Sequence, residues 1–544
     1  MLSRREVIKM LSMVPVGGLL GGSLTSNELS RWALSGSQLR GSSGPLDIEG
    51  DLFQSIGVEP IINCRGTFTI IGGSIEKPFV KDAMRAASHD FIQYDELAFG
   101  IGRRLAELTG AEWGMVSAGC AAALKHVTAA CVTEGNPEKL IRIPNLSGFE
   151  KTQVIMPRHS RTTYDHAVRN IGVEMITVDS VEEFQRAMSS RTAMILIMAS
   201  RTGALGLENI VRMAKGTGIP VVVDAAAEDL TIPNVHLEMG ADVVCYSGGK
   251  ALCGPQCSGL MLGDKGILMS AWQASSPHHG PGRDNKVGRE EMIGLLAAVE
   301  AWVKRDHDAV WKTWLGYLNT IRSRVSGING LSTEIDEPEG LGNKSPRLNI
   351  SWDPEEFHIT GWEVAEEVGR NKPRIALGSR DRDGVSSINI TSGQMQPGND
   401  EVVADRLYEL FSKKREQKSK EMHSPDADIS GRWNVDVEFF SGKSQHTLFI
   451  EKQDGNWLQG SHKGDFTIRD MAGTIEGNEV KFISTDRHIA DRITFIFTGI
   501  LKDNTISGEI FMGEYLTANF TAVKHDYADE QNEIKVPDGP PLAT

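Results

Sequence analysis

Between residues 113 and 263, short and wholly apolar runs alternate with stretches whose apolar residues recur at helical spacing. Runs such as Val154 to Met156, Ala193 to Met198, Val221 to Val223 and Val243 to Tyr246 show no polar alternation, which is how strands buried on both faces read. Helical patterns lie between them at Val181 to Met188 and Glu208 to Lys215. That order predicts an α/β unit with a mainly parallel sheet. Upstream, Val80 to His89 and Gly100 to Thr109 have helical spacing, with Gly110 as a stop signal. From about Gly316 the pattern becomes α+β, with strands at Arg347 to Ser351 and Ser387 to Thr391 and a closing helix from Glu401 to Ser412. Beyond residue 428 the period changes to two, as in Arg432-Trp433-Asn434-Val435-Asp436-Val437, with hairpin turns at Asp454-Gly455-Asn456 and Glu476-Gly477-Asn478. Short strands at such regular spacing predict an antiparallel meander, closed or nearly closed into a barrel.

The 544 residues thus divide into a large α/β domain over 51–315, a small α+β domain over 316–412, a charged linker over 413–428 and a β-barrel-like domain over 429–526. Residues 25–50 are rich in Ser and Gly and read as a linker, and 527–544 read as a disordered tail. The first 24 residues carry an address. Ser3-Arg4-Arg5, then Lys9 and the apolar stretch Met10 to Gly22, read as a twin-arginine export signal too short to anchor in a bilayer. The expectation is an exported, periplasmic protein that meets the twin-arginine machinery already folded. A formal net charge of −15 argues against a nucleic-acid partner, which would need a basic face. The six Cys form neither a zinc pattern nor a dense disulfide framework, and Cys253 and Cys257 read as buried small hydrophobes. His278-His279 lacks a third ligand at suitable spacing, so no metal is expected.

The candidate chemistry gathers on two of the apolar runs. Val221 to Val223 ends in the carboxylate Asp224, and Val243 to Tyr246 breaks into Ser247-Gly248-Gly249-Lys250. A Lys on a glycine-rich turn, with an Asp ending the preceding strand, suits pyridoxal 5′-phosphate. The amine forms a Schiff base and the carboxylate keeps the pyridine nitrogen protonated, which makes the ring an electron sink. A strand-end Asp alone is more often a helix cap, so the pairing carries the reading. Ser117, Gly119 and Cys120 open an alanine-rich helix whose free amides offer a phosphate cup, and Ser247 is in reach of the same phosphate. His159 ends another strand and is the candidate to stack on the ring. Arg65, Arg161 and Arg374 are candidates for an anionic substrate group, because a planar guanidinium matches a carboxylate.

With these pieces placed, residues 58–411 resemble the selenocysteine synthase-like branch of the fold-type-I pyridoxal-phosphate enzymes, and most nearly the D-glucosaminate-6-phosphate ammonia-lyase-like proteins. The likeness rests on Ile62-Asn63-Cys64-Arg65-Gly66-Thr67, Gly72-Gly73-Ser74, Glu107 to Glu112, Ser117 to Ala123 and Tyr164-Asp165-His166-Ala167. It continues in Asp224-Ala225-Ala226-Ala227, Ser247 to Lys250 with Gly254-Pro255-Gln256, and Lys286 to Glu291. The resemblance implies Lys250 as the Schiff-base lysine, Asp224 as the pyridine partner and a homodimer or higher homo-oligomer. It implies a lyase that removes the α-proton of an amino acid or amino-sugar acid and expels a β-substituent, giving a 2-oxo acid and ammonia. An aldolase, racemase or selenium transferase-like enzyme would use the same residues. An exported ligand-binding protein with an inactive fold of this type is the alternative of another class. The C-terminal β domain belongs to neither relative.

Overall fold

The computed structural model describes residues 46–526 apart from 49, 51, 200 and 418–420. The export signal, nearly all of the 25–50 linker and the 527–544 tail lie outside the described residues. The described chain forms two compact units, one over Asp47–Gln417 and one containing the C-terminal β domain. Among the described residues no helix is long and apolar enough to cross a membrane.

The first unit begins with a two-residue strand β1 (Ile62–Asn63). Its main sheet uses β2 (Trp113–Ser117), β3 (Gln153–Pro157), β4 (Glu174–Val178), β5 (Thr192–Met198), β6 (Val221–Asp224), β7 (Val243–Ser247) and β8 (Gly259–Gly263). The spatial order is β2-β8-β7-β6-β5-β3-β4, parallel throughout except for β8, which runs against both neighbours. Every residue of β2, β6 and β8 is buried, as apolar runs covered on both faces require. Helices Cys120–Thr133, Lys265–Ala274 and Arg289–Lys304 pack on this sheet, and all but one residue of the first is buried. Its small alanine side chains let it lie close.

A second core holds the small domain, built on the antiparallel sheet β12 (Gly378–Arg382), β13 (Val385–Thr391), β10 (Arg347–Trp352), β9 (Ser332–Asp336) in that order. Its boundary differs from the expected one. Ile62 and Cys64 pack into the small core, because β1 pairs in parallel with β11 (Ile375–Ala376) instead of joining the main sheet. Helix His307–Val325 also starts nine residues before position 316 and buries Leu318, Ile321 and Val325 there.

The β domain is a closed eight-stranded barrel, β14 (Gly431–Glu438), β15 (Lys443–Asp454), β16 (Trp457–Lys463), β17 (Ile468–Glu476), β18 (Glu479–Arg487), β19 (Arg492–Lys502), β20 (Thr505–Phe511) and β21 (Thr517–Lys524). Each strand pairs antiparallel with the next, and β21 returns to β14. Closure leaves no edge to pair with another chain. Trp433, Leu448, Phe482 and Phe497 fill the interior.

Candidate active site

Strand register brings the two key groups to one edge of the main sheet. β6 and β7 are adjacent and parallel, and Asp224 lies level with Cys245, two residues before the end of β7. After Ser247 the chain turns sharply, with the Lys250 amide donating to Ser247 O at 3.3 Å and the Gly254 amide to Gly248 O at 2.8 Å. Gly249 is required there, since a Cβ would stand 2.4 Å from Gln256 Oε1 and 2.8 Å from its Cα. Lys250 is half-buried. In such a sheet the ligand crevice lies at the carboxyl ends of the strands, where these groups are.

Asp224 is 4% exposed, and burial raises its carboxyl above the ordinary value. The Ala226 amide donates to Oδ1 at 3.1 Å, the Cys120 thiol donates to the same oxygen at 3.6 Å, and the Lys250 charge also lowers the acid. The same Lys250 charge acts on the Cys120 thiol, which burial and Asp224 push up. Asp224, Cys120 and Lys250 therefore share one electrostatic neighbourhood. A buried carboxylate held this way is completed by a cation, and a protonated pyridine nitrogen is one.

The helix starting at Cys120 supplies the anion site. Its first intrahelical bond is from the Ala123 amide to Gly119 O at 3.0 Å, so the amides of Cys120, Ala121 and Ala122 precede the ladder. Gly119 sits at φ +104°, with open space where a Cβ would be. Across from it, a Cβ on Gly259 would stand 2.5 Å from the Gly119 carbonyl carbon. Backbone amides, a positive dipole end and room for oxygen atoms fit a phosphate. Taken together, the amine, the buried acid and this cradle fit pyridoxal phosphate.

The other expected residues fall into three groups. Ser247 is half-buried at the end of β7, and His159 is exposed at the end of β3 with Nδ1 3.0 Å from Ser160 Oγ. Arg65 is exposed beside the turn that Asn63 builds, its guanidinium 4.6 Å over the Phe68 ring. Four expectations need correction. The Ser117 hydroxyl is buried and donates to Gly119 O at 2.9 Å, so it shapes the turn instead of facing an anion. Arg161 is held by the buried Asp165, with Nε 2.5 Å from Oδ2 and a further bond to Thr177, so its fork is not open to a substrate. Arg374 donates to the backbone oxygens of Gly369 at 2.8 Å and Glu59 at 3.1 Å, which ties the start of the unit to the small domain. Cys257, expected inside, is exposed.

Sequence reasoning missed how Cys120 acts. It was placed in the phosphate cup by position, yet its thiol points at Asp224. Also missed was the buried pair Glu228 and His236, 2.7 Å apart just beyond Asp224. No periodicity marks two residues eight apart as partners. Gln256 reaches the Gly73 loop, where a Cβ would stand 2.0 Å from its Oε1, and so joins that loop to the Lys250 turn.

Comparison with known proteins agrees with this geometry. Residues 97–275 match the family described as Cys/Met metabolism PLP-dependent enzyme. A D-glucosaminate-6-phosphate ammonia lyase of Salmonella typhimurium is 28% identical over 381 residues, covering 66% of this chain and 98% of the relative. A 5′-C-glycyluridine monooxygenase-decarboxylase of a Streptomyces species is 29% identical over 375 residues, covering 66% and 92%. The solved structure of a D-glucosaminate-6-phosphate ammonia-lyase superposes with a TM-score of 0.60 at 26% identity, covering 67% of this chain and 99% of that one. About a third of this chain lies outside the alignments with these two relatives and the solved structure. The strand-end acid, the lysine turn and the helix cradle, joined to these likenesses, make this chain a pyridoxal 5′-phosphate-dependent enzyme of fold type I, similar to the ammonia-lyases.

Proposed function

We propose that the protein is a lyase that takes an amino acid or amino-sugar acid and, by α-proton removal and β-elimination, yields a 2-oxo acid and ammonia. The observation that carries the reading is the shared crevice of Asp224, Lys250 and the Cys120 helix start. When bound, pyridoxal phosphate supplies the sink for the electron pair left at the substrate Cα. The Lys250 amine lies on the turn where it takes that α-proton and returns it to the leaving group. Asp224 holds its negative charge against the ring nitrogen, and Cys120 and the Ala226 amide fix the carboxylate's orientation. The amides of Cys120, Ala121 and Ala122 hold the phosphate, and Ser247 lies near the same end. His159 would be the residue to stack on the ring, and Arg65 is left of the three candidate arginines for an acidic substrate group. The likeness to both a lyase and a monooxygenase-decarboxylase supports the cofactor more narrowly than the reaction.

A panel of amino acids and amino-sugar acids, assayed for released ammonia and keto acid, tests the reaction. Racemised or aldol-cleaved products without ammonia would replace elimination by those alternatives. Lys250→Ala is expected to remove the Schiff-base band, leaving any bound cofactor with the spectrum of its free aldehyde, and to lower turnover by roughly 10²–10⁴-fold. Colourless wild-type protein that cannot be reconstituted would favour a binding protein with an inactive fold.

Export belongs to the same reading, supported by Arg4-Arg5 and the apolar stretch that follows. Replacing both arginines by lysine should keep the chain in the cytoplasm, as fractionation reads directly. A homodimer or higher homo-oligomer fits the exposed apolar side chains Phe68, Ile70, Phe79 and Phe91, and sedimentation of purified protein checks it.

A further inference from the structure

In a closed meander alternate hairpins share an end, so the barrel has two rims of different composition. One rim carries Asp454-Gly455-Asn456, Glu476-Gly477-Asn478 and Lys502-Asp503-Asn504, which are ordinary polar turns. The other joins β14 to β15, β16 to β17, β18 to β19 and β20 to β21, and there Phe440, Phe466, Ile468, Ile489, Tyr515 and Leu516 stand exposed. Phe466 is 95% exposed. Large apolar side chains at the tips of all four hairpins of one end serve no core, and a soluble surface ordinarily avoids such a cluster.

The interior beneath that rim is also unlike the rest. His462 lies directly opposite Arg469, and Ser484 opposite Phe495, so all four side chains enter the barrel towards this end. His446 joins them, and a hydrogen-bond chain runs from Ser484 Oγ to His462 Nδ1 at 2.7 Å and from His462 Nε2 to His446 Nδ1 at 3.0 Å. Burial pushes the His462 imidazole down to about 3 and lowers His446, so both are neutral at pH 7. Arg469 is therefore the cation of this layer. Its side chain is 8% exposed, and its guanidinium lies 4.8 Å over the Phe495 ring. Nη2 is engaged by Thr467 Oγ1 at 2.7 Å and Asp486 Oδ2 at 3.1 Å. Nε and Nη1 are buried with no hydrogen-bond partner among the described residues. Buried charged donors left unpaired are costly, and native structures rarely keep them without an acceptor.

We propose that this end of the barrel binds a small amphipathic carboxylic acid, its apolar body held among the tip side chains and its carboxylate accepting from Arg469. A carboxylate provides the acceptor that the two donors lack, and the ring of tips provides cover for a hydrocarbon body. An eight-stranded barrel is just wide enough to be filled by side chains or to hold one small ligand; here aromatic and aliphatic side chains fill the middle, so the proposed ligand is confined to the rim and the layer around Arg469. The two donors are buried below the rim, so only a slender head group that enters between the tips could meet them, and a folded partner could not.

Calorimetric titration of the cofactor-loaded full-length chain with decanoate and with decan-1-ol tests this. Saturable one-site binding is expected, with decanoate about tenfold tighter than the alcohol. Phe466→Ser and Tyr515→Ser, which alter exposed tips, should weaken both ligands several-fold with the melting point and turnover unchanged. Arg469→Gln should erase the preference for the acid. If that variant does not fold, the acid-to-alcohol ratio and the tip variants decide. No saturable binding of decanoate, equal affinity for acid and alcohol in the unmodified chain, or indifference to Phe466→Ser would overturn the proposal. So would association with phosphatidylcholine vesicles in the absence of free-acid binding, which would make the rim a membrane contact instead.

Discussion

Asp224 illustrates how one residue divides its effect between stability and function. Burial is the largest influence on its carboxyl and raises it above the ordinary 3.8, so the folded chain binds that proton more tightly than the unfolded chain does. Without cofactor, the stability from this group is complete below 3.8 and is lost as pH rises through the raised value. Asp224→Asn removes the penalty. The cofactor-free variant should therefore melt at or above the wild type at pH 8, with the difference shrinking towards pH 4, as melting curves across that range would read. Its affinity for the cofactor should fall by at least about tenfold, since the partner of the ring nitrogen has lost its charge. A variant that bound the cofactor as tightly as the wild type would remove Asp224 from the role proposed for it.

At the scale of elements, the site depends on how closely backbones approach one another. β8 inserts antiparallel between β2 and β7, and Gly259 at its start lies level with both Ser117 and Ser247. That register sets the turn before helix Cys120–Thr133 directly against Gly259. Gly259→Ala would place a methyl group 2.5 Å from the Gly119 carbonyl carbon and 2.7 Å from Ser117 Oγ, so the cradle must shift. The expected cost is about 1–3 kcal/mol of stability together with a cofactor dissociation constant raised about tenfold, read by denaturation and by titration of the visible band. Unchanged affinity would mean that the amides of this helix do not hold the phosphate. Arg289 shows the same scale at work in a purely structural part. It donates to the Ala87 and Ser88 carbonyls, closing the end of helix Pro78–Ala87.

For the whole molecule, the cores of the two units are separate: the barrel buries its own aromatic interior, and the main sheet and small domain bury theirs. Units with their own cores unfold as their own transitions. Calorimetry should therefore resolve two. Cofactor at about a hundred times its dissociation constant should stabilise the unit over Asp47–Gln417 by about 2.7 kcal/mol and leave the barrel's midpoint where it was. A single transition that moved as one with cofactor would show that the units are coupled.

The alternation of apolar runs with helical spacing, and then the change to a period of two, determined the succession of α/β, α+β and barrel units in advance, because burial on two faces, one face or one stripe leaves a local mark on the chain. The lysine turn and the strand-end acid were legible for the same reason, since each announces itself within a few residues. Only the tertiary structure decided which arginines are engaged. Arg161 and Arg374 look like Arg65 in sequence, and their partners Asp165, Gly369 and Glu59 were matched to them by folding. Likewise, β1 joined the small core through a pairing with β11 more than three hundred residues away, and Cys120 turned its thiol to Asp224 across a helix start and a strand end. Contacts between distant segments are fixed by packing and register, which no local pattern records.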